Sequence, residues 1–189
     1  MKKALLLLAV LSISTTAAAQ SSQNTGRSDL SYSYAELRFV DVDSNGGDGF
    51  QLAGSLELDG PWILVGSLTA LDFNGDVDTT LLEIGGGYVW DYIDDWDLFG
   101  TLRLAWAERD TPFGDADDTG FAFSAGTRGL LSPKFEIRGS VNHINVDGSD
   151  TYLQIAGDYY FTDQFSAGVS LDVAGDTDSF SIGARWYFR

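Results

Sequence analysis

From residue 30 onward, apolar and polar side chains alternate with a period of two over nearly the whole chain. Side chains of a strand point alternately to its two faces, whereas an amphipathic helix repeats its apolar residues every three or four positions. Clusters of Gly, Asp, Asn and Pro interrupt the alternation at intervals of about 12–17 residues, the rhythm of antiparallel strands joined by tight turns. Ten strands are predicted, at about 31–42, 49–58, 62–73, 79–90, 96–108, 119–130, 134–144, 151–161, 164–174 and 179–188, with eight as the alternative count. One face collects Leu37, Phe39, Phe50, Leu52, Leu56, Leu82, Ile84, Leu98, Leu102, Leu104, Val141, Leu153, Ile155, Val169 and Leu171. The other carries Glu36, Arg38, Glu57, Glu83, Arg103, Arg128, Glu136, Arg138, Asp158, Asp172 and Arg185. The third strand, with Ile63, Val65, Ser67 and Thr69, has no clear polar face. The fold class is all-β, an antiparallel up-and-down barrel.

Which face points inward depends on the solvent. In a soluble barrel the apolar face is the core. Here aromatics gather at strand ends, with Trp62, Trp90, Trp96, Phe135, Phe161, Phe165, Trp186 and Phe188 toward one rim. Phe39, Phe50, Phe73, Trp106, Phe121 and Phe180 lie toward the other. Two aromatic girdles around an apolar band mark a barrel whose apolar face meets lipid. An even strand count puts both chain ends at one rim. Connectors at that rim are short, while those opposite read as longer loops, Asp43–Asp48, Asn74–Asp78, Arg109–Asp118, Asn145–Asp150 and Gly175–Asp178.

The last strand sharpens this reading. Ser181, Gly183, Trp186 and Phe188 are spaced as in the C-terminal strand by which bacterial outer-membrane β-barrels are recognised for assembly, although Arg189 follows the usual terminal aromatic. Residues 30–189 resemble small outer-membrane barrels of the porin-like and OmpX-like superfamily. That resemblance implies delivery by periplasmic chaperones, insertion by the outer-membrane assembly machinery, and contact with outer-membrane lipid and lipopolysaccharide in a Gram-negative cell.

The first residues agree with export. Met1-Lys2-Lys3 precedes an apolar stretch from Ala4 to Ser12, and Ala17-Ala18-Ala19 offers a small-residue cleavage site, so residues 1–19 read as a signal peptide. Residues 20–29 form a polar leader, expected to be mobile, and residues 30–189 the single barrel domain. The net charge is −17; removal of residues 1–19 takes away Lys2 and Lys3 and no acid, leaving 9 basic against 28 acidic residues and a charge of −19. Such acidity disfavours nucleic acid as a partner. The chain has no cysteine, which excludes disulfides and thiolate metal sites.

Polar-face acids and arginines are nearly balanced, which predicts a salt-bridged interior, since buried charges persist when paired. A narrow polar pore is the alternative. Asp41, Asp43 and Asn45, with Gly46, match the opening half of a calcium loop, and Asp48 adds a further oxygen. The twelfth position is Leu52 instead of the bidentate glutamate. No cofactor is expected apart from such a divalent cation. The acidic connectors are also expected to bind divalent cations that bridge to lipopolysaccharide phosphates. The sole histidine, His143, sits at a strand end without a nucleophile motif, so no enzymatic role is expected, and an outer-membrane enzyme is the remote alternative. A structural or surface-interaction barrel is the primary expectation.

Overall fold

The computed structural model describes residues 30–188 except 44–45, 147 and 175–177. The predicted signal peptide, polar leader and Asn45 therefore lie outside the described residues. Ten strands follow in order: β1 (Tyr34–Val42), β2 (Gly47–Glu57), β3 (Trp62–Phe73), β4 (Val77–Ile93), β5 (Trp96–Thr111), β6 (Gly114–Ser132), β7 (Phe135–Asn145), β8 (Ser149–Thr162), β9 (Phe165–Val173) and β10 (Asp178–Tyr187). Each pairs antiparallel with its sequence neighbours, and β1 closes on β10 from Tyr34↔Tyr187 to Val42↔Ser179. Closure leaves no unpaired sheet edge, the condition for a β-structure to sit in hydrocarbon.

The barrel is inside-out relative to a soluble one. Leu102 and Leu104 are 64% and 69% exposed, while Arg185 and Glu136 are 0% exposed. Every side chain of the predicted apolar face that is large and hydrophobic projects outward, including Leu37, Phe50, Ile84, Val141 and Leu171. The register of β3 is resolved: Leu64 and Leu68 face outward opposite Leu56 and Leu52, and Ile63 and Thr69 are buried inward. Trp62, Trp90, Phe161, Trp186 and Phe188 form the exposed girdle at the rim carrying the chain ends. Phe39, Phe50, Trp106, Phe121 and Phe180 form the other. Phe73 is a correction: it has inward parity, and its ring lies where a side chain at Gly47 would go.

The predicted asymmetry of connectors is also corrected. The expected loop Arg109–Asp118 is mostly ladder, with Thr111 paired to Gly114 around Pro112-Phe113. Aspartates and threonines beyond the apolar band continue the β4–β6 pairing, so a polar stretch that reads as loop is strand standing clear of lipid. Residues 31–33, expected to begin β1, instead turn with Leu30 into the barrel mouth, where Leu30 and Tyr32 are 6% exposed.

Candidate functional site in the barrel lumen

Inward side chains divide the lumen into three parts. The first is a plug at the rim of the chain ends. Leu30 and Tyr32 pack with Ile63 and Val89, flanked by Val65, Phe99 and Leu130. The Tyr32 backbone N–H donates to Glu57 Oε1 at 2.7 Å, and Glu57 N–H donates to Ser33 Oγ at 3.1 Å. Arg128 Nη1 donates to the Ser31 carbonyl at 2.8 Å, and its guanidinium lies 4.7 Å from the Tyr32 ring centre. Glu57, expected among the lumen charges, thus sits exposed at the mouth and fastens the plug. Asp97, buried at 1% exposure on the inward face of β5, belongs to this region and is absent from the sequence-based set.

The second part is an ion cluster on the side of β6 to β10 and β1. Arg128 donates through Nε to Glu136 Oε1 and through Nη2 to Oε2, each at 2.7 Å. Arg185 Nη1 reaches Glu136 Oε1 at 3.2 Å, and its Nη2 reaches Glu36 Oε1 at 3.3 Å and Asp158 Oδ2 at 3.5 Å. Arg38 Nη2 donates to Glu36 Oε1 at 2.7 Å, and Arg38 Nη1 donates to Ser170 and Ser181. Tyr160 donates to Glu136 Oε2, and Tyr187 Oη accepts from Arg128 and Arg185. Three arginines therefore meet three acids with hydroxyls as further partners, the pairing under which buried charge is tolerated, while Arg185 Nε bonds none of the described residues. Gly183 of β10 has a packing reason: a Cβ there would lie 2.5 Å from Arg38 Cγ.

The third part is a cavity of about 170 Å³ lined by residues of β1 to β8. Small residues Ala53, Gly54, Ser55, Gly66 and Ser67 form much of its wall, so space remains where the opposite wall is filled by arginines. Its floor shares Tyr32, Ile63, Val65 and Phe99 with the plug. Arg103 pairs with Glu83 at 3.5 Å and donates to Ser124 at 2.7 Å. Arg138 and Tyr152 also line it. Asp172 accepts from Gln154 at 2.8 Å, with Ser179 3.5 Å away. The predicted charge set is thus brought inside apart from Glu57, but it is not one uniform network.

Outside, just past the apolar band, six aspartates stand directly opposite one another on successive strands. The register pairs Asp41 with Asp48, Asp48 with Asp72, Asp72 with Asp78, Asp78 with Asp110, and Asp110 with Asp115. All six share the parity of the lipid-facing residues. Above the band, Asp78 as a hydrogen-bonding partner, then burial, raise the Asp72 carboxyl above its ordinary pKa. Like charges directly opposite destabilise a sheet, so this belt is a cost that the fold carries. The calcium-loop expectation takes a different form here. Gly47 to Leu52 are strand, and Asp41 and Asp48 face each other in the β1–β2 ladder. Among the described residues no group of three ligands is set to hold a metal ion. His143 bonds Thr151 Oγ1 at 2.8 Å and packs 5.1 Å from the Phe123 ring, an outward position at the band edge.

Comparison with known proteins agrees with this geometry. A search of curated proteins finds no match. Among solved structures, the NanC porin aligns with a TM-score of 0.52 at 10% identity over 82% of this chain and 100% of that one. The KdgM porin aligns at 0.51 and 10% identity over 82% and 99%. Ail of Yersinia pestis, at 17% identity over 84% and 100%, reaches only 0.43. These likenesses concern the fold. The model of the family described as outer membrane protein beta-barrel domain matches residues 5–188, and the chain belongs to that family.

Proposed function

We propose that this protein is a non-conducting barrel of the Gram-negative outer membrane with a structural and surface-interaction role. One observation supports this reading: side chains fill much of the lumen, the Arg128–Glu136–Arg185–Glu36 cluster along one wall and the Leu30–Tyr32 plug beneath the cavity of the other. The outward aspartate belt is read as the lipid-contact element. Divalent cations, which favour carboxylate oxygens, are proposed to bridge it to the phosphates of lipopolysaccharide. Ser181, Gly183, Trp186 and Phe188 are proposed as the signal for the assembly machinery after chaperone delivery, with cleavage of the signal peptide near Ala19.

The competing reading is a narrow pore, favoured by the cavity of about 170 Å³. Conduction requires the plug or the ion cluster to move. Planar-bilayer recording separates the two. The closed reading expects silence from the native protein and unitary steps once Tyr32→Ala and Arg128→Ala are combined. Reproducible steps from the unaltered protein overturn it.

A further inference from the structure

The cavity beside the ion cluster is lined by Arg38, Arg103, Arg128 and Arg138 against Glu36 and Glu83, a local excess of positive charge in a chain of net charge −17. Both glutamates are already engaged, Glu36 by Arg38 and Arg185 and Glu83 by Arg103. Arg138 is set apart by its register: in the β6–β7 ladder it stands directly opposite Arg128, and its charge acts on Glu36 and Asp172. Arg128 takes Glu136 as a two-pronged pair. Arg138 lies along the cavity wall, its buried Nε, like those of Arg103 and Arg185, without a hydrogen-bond partner among the described residues. Leaving a buried charged donor unmade is costly, and a guanidinium fork matches a carboxylate in two parallel hydrogen bonds.

The uncharged groups around it complete a recognition pattern. Asn142 donates its amide N–H to Ser140 at 3.1 Å, Gln51 to Thr69 at 3.0 Å and Gln154 to Asp172 at 2.8 Å. All three line the cavity, and with one N–H of each committed they offer carbonyl oxygens, acceptors that suit hydroxyl donors. A volume of about 170 Å³ is close to that of an engineered ~150 Å³ cavity that holds a six-membered ring.

We infer that this cavity binds a small hydroxylated carboxylate of about one six-membered ring, its carboxylate on Arg138 and its hydroxyls on the amide oxygens of Asn142, Gln51 and Gln154. The inference does not depend on whether the lumen conducts, because the site needs only the cavity.

The test is calorimetric titration of the full barrel in detergent with D-glucuronate, D-glucose and acetate. Glucuronate is expected to bind in the millimolar range or tighter, with glucose and acetate each weaker. Arg138→Gln is expected to weaken glucuronate about tenfold or more, as for loss of a charged hydrogen-bond partner. Lys134→Gln, which removes the same charge at an exposed position outside the barrel wall, is expected to change nothing. Heat-modifiable migration identifies variants that still form the barrel. Should Arg138→Gln not form it, Asn142→Leu replaces it, with glucuronate losing affinity and acetate keeping its own. Absence of glucuronate binding, equal binding of glucose or acetate, or equal affinity in the variant that folds overturns the assignment.

Discussion

Arg128 and Glu136 meet as parallel forks, Nε to Oε1 and Nη2 to Oε2, both at 2.7 Å, across the β6–β7 ladder. Glu136 also receives Arg185 and Tyr160, so one carboxylate is the shared anion of two fully buried guanidinium groups. Glu136→Ala is expected to destabilise the barrel by about 3–5 kcal/mol, because the arginines lose compensation without gaining water. Urea unfolding in lipid vesicles measures this. An unchanged midpoint contradicts a stabilising cluster.

The apolar band gives a depth-dependent expectation. Leu102 lies mid-band on β5, between Leu98 and Trp106, and is 64% exposed to the surroundings. Leu102→Arg places a charge in hydrocarbon and is expected to cost roughly 2–4 kcal/mol, as at the midplane of other outer-membrane barrels. The same change at Asp78, past the band, is expected to cost little or to stabilise. Equal effects at both positions argue against lipid at Leu102.

The aspartate belt links stability to ions and to pH. Added calcium in the millimolar range is expected to raise the unfolding midpoint, and Asp72→Asn with Asp78→Asn to raise it at low salt while abolishing the calcium response. The sign of the pH effect follows from Asp72, whose carboxyl holds its proton more tightly in the folded barrel than in the unfolded chain. The native state then binds more protons, so the contribution of this group falls as pH rises from the ordinary carboxylate value through the raised one. Above that window the repulsion is fully present. A pH titration of the midpoint that shows no difference between the native protein and the double variant removes the belt as its source.

The period of two gave strand number and facing because lipid and lumen demand opposite polarity at alternate positions; Leu37 and Arg38 alone illustrate it. It failed where that contrast vanishes. Beyond the band both faces meet water, so Asp110 and Asp115 read as loop although they are paired strand residues. Leu30 and Tyr32 share the inward parity of Glu36 and Arg38, but nothing local tells that the chain there leaves the ladder to fill the mouth. Their partners, Ile63, Val89 and Arg128, lie far along the chain, and local pattern carries no information on such contacts. The lumen arginines were identified from parity. Which of them is paired was not, because Arg128 and Arg138 are indistinguishable until register places them opposite each other.

The ion cluster draws Glu36 and Arg38 from the first strand and Arg185 from the last, with Glu136 between them. Arg128 and Glu136 meet within the β6–β7 ladder, but Arg185 reaches Glu36, and Arg38 reaches Ser170 and Ser181, only when β1 and β10 join. Before that moment Glu36 and Arg38 lack the partners of the last strands; afterwards they are buried among them. The seam is thus also the latch of the interior: its closing sets Glu36 and Arg38 of the first strand into a polar core that the later strands supply.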